Sequence, residues 1–451
     1  MSRKIFGTDG VRGKANIYPM TSEVALGLGR GIAQLFRKKG SPHKSRVVIG
    51  KDTRRSGYMF ENALSSGVCS AGAEAILLGP MPTPAIAFIT RAMRADAGVV
   101  ISASHNAFGD NGIKFFDNEG FKLPDELELH LESTLEEKSF EDLPTDREVG
   151  KAFRVEDAPG RYIEFLKSTF PKNISLKGLK IVVDCANGAA YKVAPIVFEE
   201  LGAEVFPLSI SPNGFNINEN CGALHPEGMA QKVKEVGAHL GVALDGDADR
   251  VILCDEQGEI LDGDIFLAIA ALELQKKSAL AQNTVVATVM SNFALERFLK
   301  EKGIQLLRAQ VGDRYVVEAM REKKLNLGGE QSGHIVFLDH ATTGDGLLAA
   351  LQILAVMVEQ QKKLSELSKL FDPLPQVLEN VKVQRREDFS KHPSLIKAIE
   401  AAEKKLHSSG RVLLRYSGTE ALVRIMVESE KANAIEGIIS DLKKEVLKVL
   451  A

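Results

Sequence analysis

The segment His239–Arg250 reads HLGVALDGDADR and joins a short apolar run to three closely spaced carboxylates. A run such as His239–Leu244 is typical of a strand that is buried on both faces of a sheet. Similar runs occur at Arg46–Gly50, Ala97–Ile101 and Leu179–Asp184, and segments with helical spacing of apolar residues separate many of these runs. This alternation predicts an α/β fold whose sheets are covered by helices on both faces.

The α/β pattern restarts twice along the chain, at Leu179–Asp184 and again at Thr284–Val289. We therefore expect three related α/β units in series. The C-terminal part differs, because the predicted strands Val377–Val383, Arg411–Leu414 and Ala421–Glu428 mix with amphipathic helices in a pattern typical of a small α+β domain. The predicted helices include Ser22–Lys39, Tyr58–Ala71, Pro84–Met93, Val193–Leu201, Asn292–Lys302, Pro393–Leu406 and Lys431–Val449.

Composition excludes several classes of function. The 451 residues include 57 Lys and Arg against 60 Asp and Glu, so the chain has no overall field for gripping a nucleic acid. The 4 cysteines are far apart and form no Cys-x-x-Cys, which gives no support to a zinc ribbon or a redox motif. Met1–Phe6 does not resemble a signal peptide, and no apolar run reaches the roughly 18 residues of a membrane span. We therefore expect a cytoplasmic protein without a membrane or nucleic-acid partner.

Three carboxylates alternate directly after the apolar run, at Asp245, Asp247 and Asp249. In a loop, this spacing can turn several carboxylates toward one hard cation, and Gly246 is expected to let the backbone bend. The EF-hand pattern fails, because the glycine is second and no glutamate follows at the required offset. A solvated acidic turn is the alternative interpretation. The third aspartate, the adjacent Arg250 and the end of the strand favour a metal site.

A polar segment, Ser102–Asn106 (SASHN), follows the predicted strand Ala97–Ile101. Small polar residues at the carboxyl end of a parallel strand lie where α/β folds bind their ligands. A serine at this place can be a covalent nucleophile or a phosphoryl carrier, and a helix cap or a turn is the alternative. The segment is not a Gly-x-Ser-x-Gly elbow, so a hydrolase triad has no local support.

Three further loops carry polar groups. Arg415–Glu420 (RYSGTE), with Arg424 shortly after, combines guanidinium groups, hydroxyls and glycine amides, as a phosphate cradle does. Gly328–His334 (GGEQSGH) offers groups for binding hydroxyls or an amine, and its histidine can move a proton. Gly7–Gly13 (GTDGVRG) places a flexible, glycine-rich backbone around one basic side chain, that of Arg12. Each of these loops, taken alone, is also compatible with an ordinary structural turn.

The five motifs together, in this order and spacing, resemble the α-D-phosphohexomutase family across nearly the whole chain. They are GTDGVRG at Gly7–Gly13, SASHN at Ser102–Asn106, DGDADR at Asp245–Arg250, EQSGH at Glu330–His334 and RYSGTE at Arg415–Glu420. The resemblance implies three related α/β domains with mixed sheets and a C-terminal α+β domain like the TATA-box-binding protein, arranged around a central cleft. The expected domains are 1–153, with the phosphoserine loop, 154–255, with the metal loop, 256–370, with the sugar-binding loop, and 371–451, with the phosphate-binding loop.

The resemblance also implies roles for individual residues. Ser104 would be the phosphorylated serine, and one Mg²⁺ would be held by a phosphate oxygen on Ser104 together with Asp245, Asp247 and Asp249. The sugar hydroxyls would contact Glu330 and Ser332. The phosphate that does not react would be held by Arg415, Ser417, Gly418, Thr419 and Arg424. Four residues would act near the reacting phosphoryl group, with a lysine or a histidine among them as general base: Arg12, Lys114, Arg250 and His334.

The implied reaction moves a phosphoryl group between C6 and C1 of a hexose. The run DNGIKFF at Asp110–Phe116 and the EQSGH loop resemble members that act on glucosamine phosphate through glucosamine 1,6-bisphosphate, in the synthesis of an amino-sugar nucleotide for cell-wall precursors. The alternatives are a phosphoglucomutase or phosphomannomutase of the same family, a magnesium-dependent sugar phosphatase and a non-catalytic sugar-phosphate sensor. A small sugar phosphate is the expected partner, and a homodimer is compatible with the resemblance. One departure is Ala107, where the family usually has proline, which would restrict the backbone of Asn106.

Overall fold

The computed structural model describes residues 4–7, 9–37, 43–136, 143–416 and 422–450. The chain forms two compact units. The first lies within Met1–Thr288 and Leu307–Ser368, and the second within Val289–Leu306 and Lys369–Ala451. None of the helices in the described ranges combines the length and apolar composition that crossing a lipid bilayer requires.

The first sheet has seven strands in the order β1-β2-β6-β5-β3-β4-β7. Its strands are β1 (Phe6–Gly7), β2 (Gly10–Lys14), β3 (Arg46–Lys51), β4 (Glu74–Pro80), β5 (Ala97–Ile101), β6 (Asp110–Asp117) and β7 (Ala152–Arg154). Its helices are α1 (Ser22–Leu35), α2 (Arg55–Ser70), α3 (Thr83–Ala92) and α4 (Asp125–Glu136). Strands β3, β4, β5 and β7 are parallel, whereas β1, β2 and β6 pair antiparallel, so the sheet is mixed.

The second sheet has five strands in the order β12-β11-β10-β8-β9. Its strands are β8 (Lys180–Asp184), β9 (Glu204–Leu208), β10 (Leu240–Leu244), β11 (Val251–Asp255) and β12 (Ile260–Leu261), and the helices beside them are α5 (Ala158–Ser168), α6 (Val193–Glu200) and α7 (Glu227–Val236). Strands β8, β9 and β10 are parallel, and β11 returns antiparallel beside β10. The carboxyl end of β10 and the start of β11 therefore frame the segment that carries the three aspartates.

The third sheet has four strands in the order β14-β13-β15-β16. Its strands are β13 (Thr284–Thr288), β14 (Gln305–Ala309), β15 (Leu327–Gly329) and β16 (Ile335–Phe337). The helices next to these strands in the sequence are α8 (Gly263–Lys276), α9 (Phe293–Glu301), α10 (Asp313–Lys323), α11 (Gly346–Gln360) and α12 (Leu364–Leu367), of which α9 lies in the second unit. Strands β15 and β16 are antiparallel, and the EQSGH loop joins them.

The last sheet lies in the second unit and has three antiparallel strands in the order β17-β19-β18. Its elements are β17 (Gln376–Lys382), α13 (Pro393–Leu406), β18 (Gly410–Tyr416), β19 (Leu422–Ser429) and α14 (Ala432–Leu450). Apolar side chains of β19, such as Ile425, pack with Leu395 of α13 and Leu442 of α14 in one buried cluster. The expectation of three mixed α/β sheets and a C-terminal α+β domain is thus confirmed. The predicted domain boundaries remain predictions.

Predicted and observed elements differ where side chains break the apolar pattern. The runs Ala97–Ile101 and Gln305–Ala309 are strands with the predicted bounds. The predicted helix Ser22–Lys39 ends at Leu35. Strand β6 is not among the predicted strands, because Lys114 interrupts its apolar pattern, although the side chain of Lys114 is buried.

Helices α1 and α2 cross at two glycines. A Cβ atom on Gly67 would lie 2.2 Å from the carbonyl oxygen of Leu26, and one on Gly29 would lie 2.4 Å from that of Leu64. Both neighbours are backbone atoms, which cannot rotate away as a side chain can. The absence of a Cβ at these two positions therefore allows the two helices to pack closely.

We expect Gly67→Ala to destabilise the chain by about 1–3 kcal/mol, because the helices must separate to admit the methyl group. The matched control is Gly160→Ala in α5, where an added Cβ meets no atom within 4 Å. We expect this control to raise stability by about 0.5 kcal/mol through helix propensity. Thermal unfolding followed by circular dichroism measures both changes, and an equal effect of the two substitutions would contradict the close helix crossing.

Candidate active site

Ser104 lies in the loop between β5 and β6, residues 102–109, which we call the serine loop. Its side chain contacts residues 245–250 between β10 and β11, which we call the aspartate loop. Its Oγ donates a hydrogen bond of 2.5 Å to Oδ2 of Asp245. The Oγ of Ser102 accepts a 2.9 Å hydrogen bond from the backbone N–H of Ser104. The backbone of Ser104 is left-handed, with φ of 51°. The two serines therefore differ in position: Ser104 points to the carboxylates and Ser102 supports its main chain.

Asp245, Asp247 and Asp249 are buried side by side after β10, with carboxylate oxygens that lie within 4.8 Å of one another. Burial, together with the negative charges of Asp249 and Asp247, raises the pKa of Asp245 well above its usual range. Among the described residues, Oδ1 of Asp247 and Oδ1 of Asp249 are buried without a hydrogen-bond partner. Crowded carboxylates with unused oxygens are the donor set that a hard divalent cation such as Mg²⁺ requires.

Gly246 lies at a close approach between the aspartate loop and the loop of Ser104. Its φ lies outside the left-handed range, and Ala248 is the left-handed residue of this loop, with φ of 57°. A Cβ on Gly246 would lie 2.5 Å from the carbonyl oxygen of Ser104. The loop does turn at Gly246, as expected, and the turn needs no left-handed φ at this residue. The missing Cβ has a second effect, because it allows the serine loop to approach.

Lys114 projects from β6 into the carboxylates. Its Nζ lies 3.0 Å from Oδ2 of Asp247, 3.2 Å from Oδ2 of Asp9 and 3.6 Å from Oδ2 of Asp249. Although burial lowers the pKa of Lys114, these carboxylates raise it above its ordinary value. Lys114 is therefore a fixed cation. Asp9 also contacts Lys122, so the ionic network continues beyond the aspartate loop.

Two arginines add positive charge around Ser104. Arg12 on β2 pairs with Asp9, and its Nη1 donates a 3.5 Å hydrogen bond to the carbonyl of Ala103. The backbone N–H of Arg250 donates to Oδ1 of Asp245 at 3.2 Å, and its Nε lies 3.9 Å from Oδ1 of Asp249. The serine and aspartate loops are thus bordered by permanently charged guanidinium groups.

The EQSGH loop reaches the same aspartates. Nε2 of His334 accepts a 3.1 Å hydrogen bond from the N–H of Gly344, which assigns the ring proton to Nδ1. Nδ1 of His334 lies 3.7 Å from Oδ1 of Asp249. Although burial lowers the pKa of His334, Asp249 raises it above its ordinary value. Oε1 of Glu330 accepts from the N–H of Gly312 at 3.0 Å, and Oε2 accepts from Ser332 Oγ at 3.3 Å.

Two residues of the RYSGTE motif region, Arg415 and Arg424, stand directly opposite each other on β18 and β19. Burial and the neighbouring Arg424 lower the pKa of Arg415. No ion pair joins either guanidinium to a residue in the described part of the chain, and the Nε atoms are buried without a hydrogen-bond partner there. Two adjacent cations that have no ion-pair partner among the described residues favour an anionic ligand. The other members of this group, Ser417, Gly418 and Thr419, lie outside the described residues.

Several residues at the site were missed in the sequence. Thr83 Oγ1 donates to Oδ2 of Asp247 at 2.7 Å, and Lys122 contacts Asp313. His105 Nδ1 lies 3.3 Å from Ser104 Oγ, and burial together with Arg250 and Arg12 lowers the pKa of His105 to about 4. His105 stands inside the SASHN motif, which was a signal that could have identified it. Thr83 and Lys122 stand in no motif, and only the fold brings them here.

Added Mg²⁺ should raise the melting temperature of the chain, because a ligand that binds only the folded state stabilises it by about 2.7 kcal/mol at 100 times its Kd. Asp247→Asn should lose most of this shift. The control is Asp255→Asn, since Asp255 is buried at the end of β11 and binds the N–H groups of Gln257 and Glu259 outside the cluster. Thermal scans with MgCl2 against KCl of equal ionic strength measure the shift. An undiminished shift in Asp247→Asn would contradict a metal site at the cluster.

Four family models match the chain in order. They describe phosphoglucomutase/phosphomannomutase α/β/α domain I at residues 3–142, domain II at 160–258, domain III at 262–374 and the C-terminal domain at 378–445. Together these matches extend over most of the sequence.

Curated relatives named phosphoglucosamine mutase are similar over nearly their full length. The protein from Citrifermentans bemidjiense is 59% identical over 449 residues, which cover 99% of this chain and 98% of the relative. The protein from Myxococcus xanthus is 55% identical over 451 residues, which cover 100% of this chain and 98% of the relative.

Solved structures share the fold. A phosphoglucomutase/phosphomannomutase family protein from Burkholderia thailandensis has a TM-score of 0.81 at 25% identity, covering 98% of this chain and 96% of the other. The Aspergillus fumigatus N-acetylphosphoglucosamine mutase, solved with GlcNAc-6P and magnesium, has a TM-score of 0.68 at 16% identity, covering 100% of this chain and 96% of the other. The chain therefore belongs to the phosphoglucomutase/phosphomannomutase family, and within it to the phosphoglucosamine mutases.

Proposed function

We propose that this chain interconverts glucosamine 6-phosphate and glucosamine 1-phosphate, with Ser104 as the phosphoryl carrier. The observation that carries the proposal is the 2.5 Å contact between Ser104 Oγ and Asp245, which joins a nucleophile to a cluster suited to a cation. The sugar is inferred from relatives at 55% to 59% identity that are named phosphoglucosamine mutase. A serine and a carboxylate cluster in contact supply what phosphoryl transfer needs, which is mainly positioning and neutralisation of charge.

The charges of the site support this chemistry. A phosphoserine carries about −2 at neutral pH, and three aspartates add about −3. Asp245, Asp247 and Asp249 would hold Mg²⁺, which when bound neutralises charge on the phosphoryl oxygens. With its two positive charges included, about −3 remains, and the cations of Arg12, Lys114 and Arg250 offset that remainder. These three cations therefore offset most of the charge that a phosphorylated Ser104 would bring. The adjoining residues Asp9, Lys122 and Asp313 together add one further negative charge.

The proposed cycle has two transfers. Phosphorylated Ser104 gives its phosphoryl group to O1 of glucosamine 6-phosphate, so the P–O bond to Ser104 breaks and one to O1 forms. The glucosamine 1,6-bisphosphate then turns end for end. Its O6 phosphoryl group returns to Ser104, and glucosamine 1-phosphate is released. In each transfer the accepting hydroxyl loses a proton and the leaving oxygen gains one, so the cycle consumes no net proton.

His334 is a better candidate than Lys114 for accepting that proton. Lys114 is held as a cation by three carboxylates and has no free electron pair. The His334 ring, in contrast, is neutral in the tautomer that Gly344 assigns, and the nearby carboxylates raise its pKa. Proton exchange at Nε2 requires the hydrogen bond from Gly344 to open. We propose that Lys114 instead stabilises negative charge on the phosphoryl group.

The remaining residues are assigned to substrate binding. Glu330 and Ser332 present a carboxylate and a hydroxyl that already bind each other, and we propose that they contact the sugar hydroxyls. The phosphate that does not react is assigned to the paired guanidinium groups of Arg415 and Arg424, together with Ser417, Gly418 and Thr419. The cytoplasmic location, the homodimer and the role in supplying an amino-sugar nucleotide stay predictions from the sequence.

Ser104→Ala should abolish turnover while leaving the fold intact, because it removes only the Oγ that carries phosphate. Ser102→Ala is the matched control: it loses the hydrogen bond to the N–H of Ser104 and should keep measurable activity. Intact mass before and after turnover with glucosamine 1,6-bisphosphate should show one phosphate on the wild type and on Ser102→Ala only. Normal activity of Ser104→Ala would refute the assignment.

The sugar preference can be measured separately. We compare glucosamine 6-phosphate, glucose 6-phosphate and mannose 6-phosphate, and we expect the highest kcat/KM for glucosamine 6-phosphate. The ratio to either other sugar should be about tenfold or more, which corresponds to about 1.4 kcal/mol of differential binding in the transition state. A coupled assay for each 1-phosphate gives the three values. A higher kcat/KM for glucose or mannose phosphate would overturn the amino-sugar assignment. Stoichiometric release of free phosphate would indicate a phosphatase.

A further inference from the structure

We propose that Arg54 and Asn218 are positioning residues that hold Ser104 in its reactive orientation through the main chain of the serine loop. Neither residue belongs to a motif assigned above. The inference rests on the proposed function, because it concerns how the phosphoryl carrier is held. Arg54 comes from the start of α2, and Asn218 comes from the segment between β9 and α7.

Both side chains donate to the same two carbonyl groups. Nδ2 of Asn218 donates to the carbonyl of Ser104 at 2.9 Å and to that of Asn106 at 3.1 Å. Nη2 of Arg54 donates to the carbonyl of Ser104 at 3.2 Å and also to that of Asn106. The two carbonyls therefore face a shared set of donors, which we call the carbonyl clamp. Since Arg54 and Asn218 come from distant parts of the sequence, the clamp forms only in the folded chain.

The clamp acts on a residue whose backbone is held in an unfavourable conformation. Ser104 has φ of 51°, a left-handed conformation that is unfavourable for a residue with a Cβ. Such a conformation persists only where the surroundings enforce it. The left-handed turn directs Oγ toward Asp245, so a loop that relaxed to ordinary φ would move the nucleophile away from the carboxylates. Hydrogen bonds to the carbonyls of Ser104 and Asn106 oppose that relaxation.

The donors are themselves fixed. Arg54 is fully buried and pairs with Asp52, whose Oδ1 also accepts the backbone N–H of Arg54 at 2.9 Å. The N–H of Asp52 donates to the carbonyl of Ile101, the last residue of β5, at 3.0 Å. The N–H of Asn218 donates to the carbonyl of Ala186 at 2.9 Å. The clamp therefore links the serine loop to both neighbouring sheets.

The aspartate loop leaves room for the clamp at Gly246. A Cβ there would lie 2.5 Å from the carbonyl oxygen of Ser104 and 2.9 Å from Nδ2 of Asn218. Any other residue at this position would thus push apart the donor and the acceptor of one clamp bond. The position of the glycine in DGDAD is explained by the clamp, since the backbone of Gly246 needs no left-handed φ.

Asn218→Ala tests the clamp, because it removes one donor without leaving a buried charge unpaired. We expect kcat for glucosamine 6-phosphate to fall about 10- to 100-fold, since a small displacement of a reacting group has effects of this size. The KM and the Mg²⁺ concentration for half-maximal activity should change less than about threefold, because neither the sugar loop nor the aspartates are altered. Gly246→Ala should reproduce the loss of kcat.

The matched control is Asn326→Ala. Asn326 is a buried asparagine whose Nδ2 also bridges two acceptors, the carbonyl of Ala279 and Oδ2 of Asp339, at 2.9 and 2.6 Å. The Asn326→Ala variant should have a lower free energy of unfolding than the wild type and the same kcat. A kcat of Asn218→Ala within about twofold of the wild type would overturn the clamp, as would equal losses of kcat in both asparagine variants. If the wild type itself shows no mutase turnover, the proposed function fails instead, so the two failures are distinguishable.

Discussion

Three aspartates that share one buried pocket are the constraint from which the rest of the site follows. Taking carboxylates out of water is expensive, and placing them beside one another adds repulsion, which is why the pKa of Asp245 lies far above its usual range. The fold offsets the charge with Lys114, which contacts Asp247 and Asp249, and leaves two buried carboxylate oxygens without a hydrogen bond in the described part of the chain. These oxygens therefore fit a further cation, and a phosphoryl group at Ser104 would lie directly beside it.

The topology explains how distant segments reach this pocket. The loops that carry Ser104 and Asp245 begin where β5 and β10 end, and each of these strands pairs parallel with a neighbour in its sheet. Lys114 comes from an antiparallel strand, β6, which brings its ammonium back along β5 toward the same end. Glycines then permit close approach: a Cβ on Gly344 would lie 2.4 Å from Nε2 of His334. Strand ends supply the side chains, and small residues allow the loops to come together.

The sequence predicted what depends on local pattern. Apolar runs identified most central strands, and the loops after β5 and β10 were identified because polar residues follow those runs directly. It did not predict β6 as a strand, because the buried Lys114 interrupts its apolar pattern and is compensated only by carboxylates from other segments. Arg54 and Asn218 were missed for a related reason, since each is an ordinary polar residue until the fold places the carbonyls of Ser104 and Asn106 in front of it. Interactions between distant segments produce no regular spacing of residues in the sequence, so they cannot be predicted from local pattern.

The ionic network around the aspartate pocket is better explained by the needs of phosphoryl transfer than by a contribution to the stability of the fold. Asp9 contacts Lys114 and Lys122, and Lys122 contacts Asp313, which lies 3.7 Å from Nε2 of His334. Buried ion pairs contribute little net stability, because the loss of hydration offsets most of their attraction, yet removing one partner leaves a costly unpaired charge. A fold that needed only stability would be served as well by apolar side chains. Fixed charges around the aspartate pocket are useful instead for a phosphoryl group, whose negative charge must be met without reorganisation at each transfer.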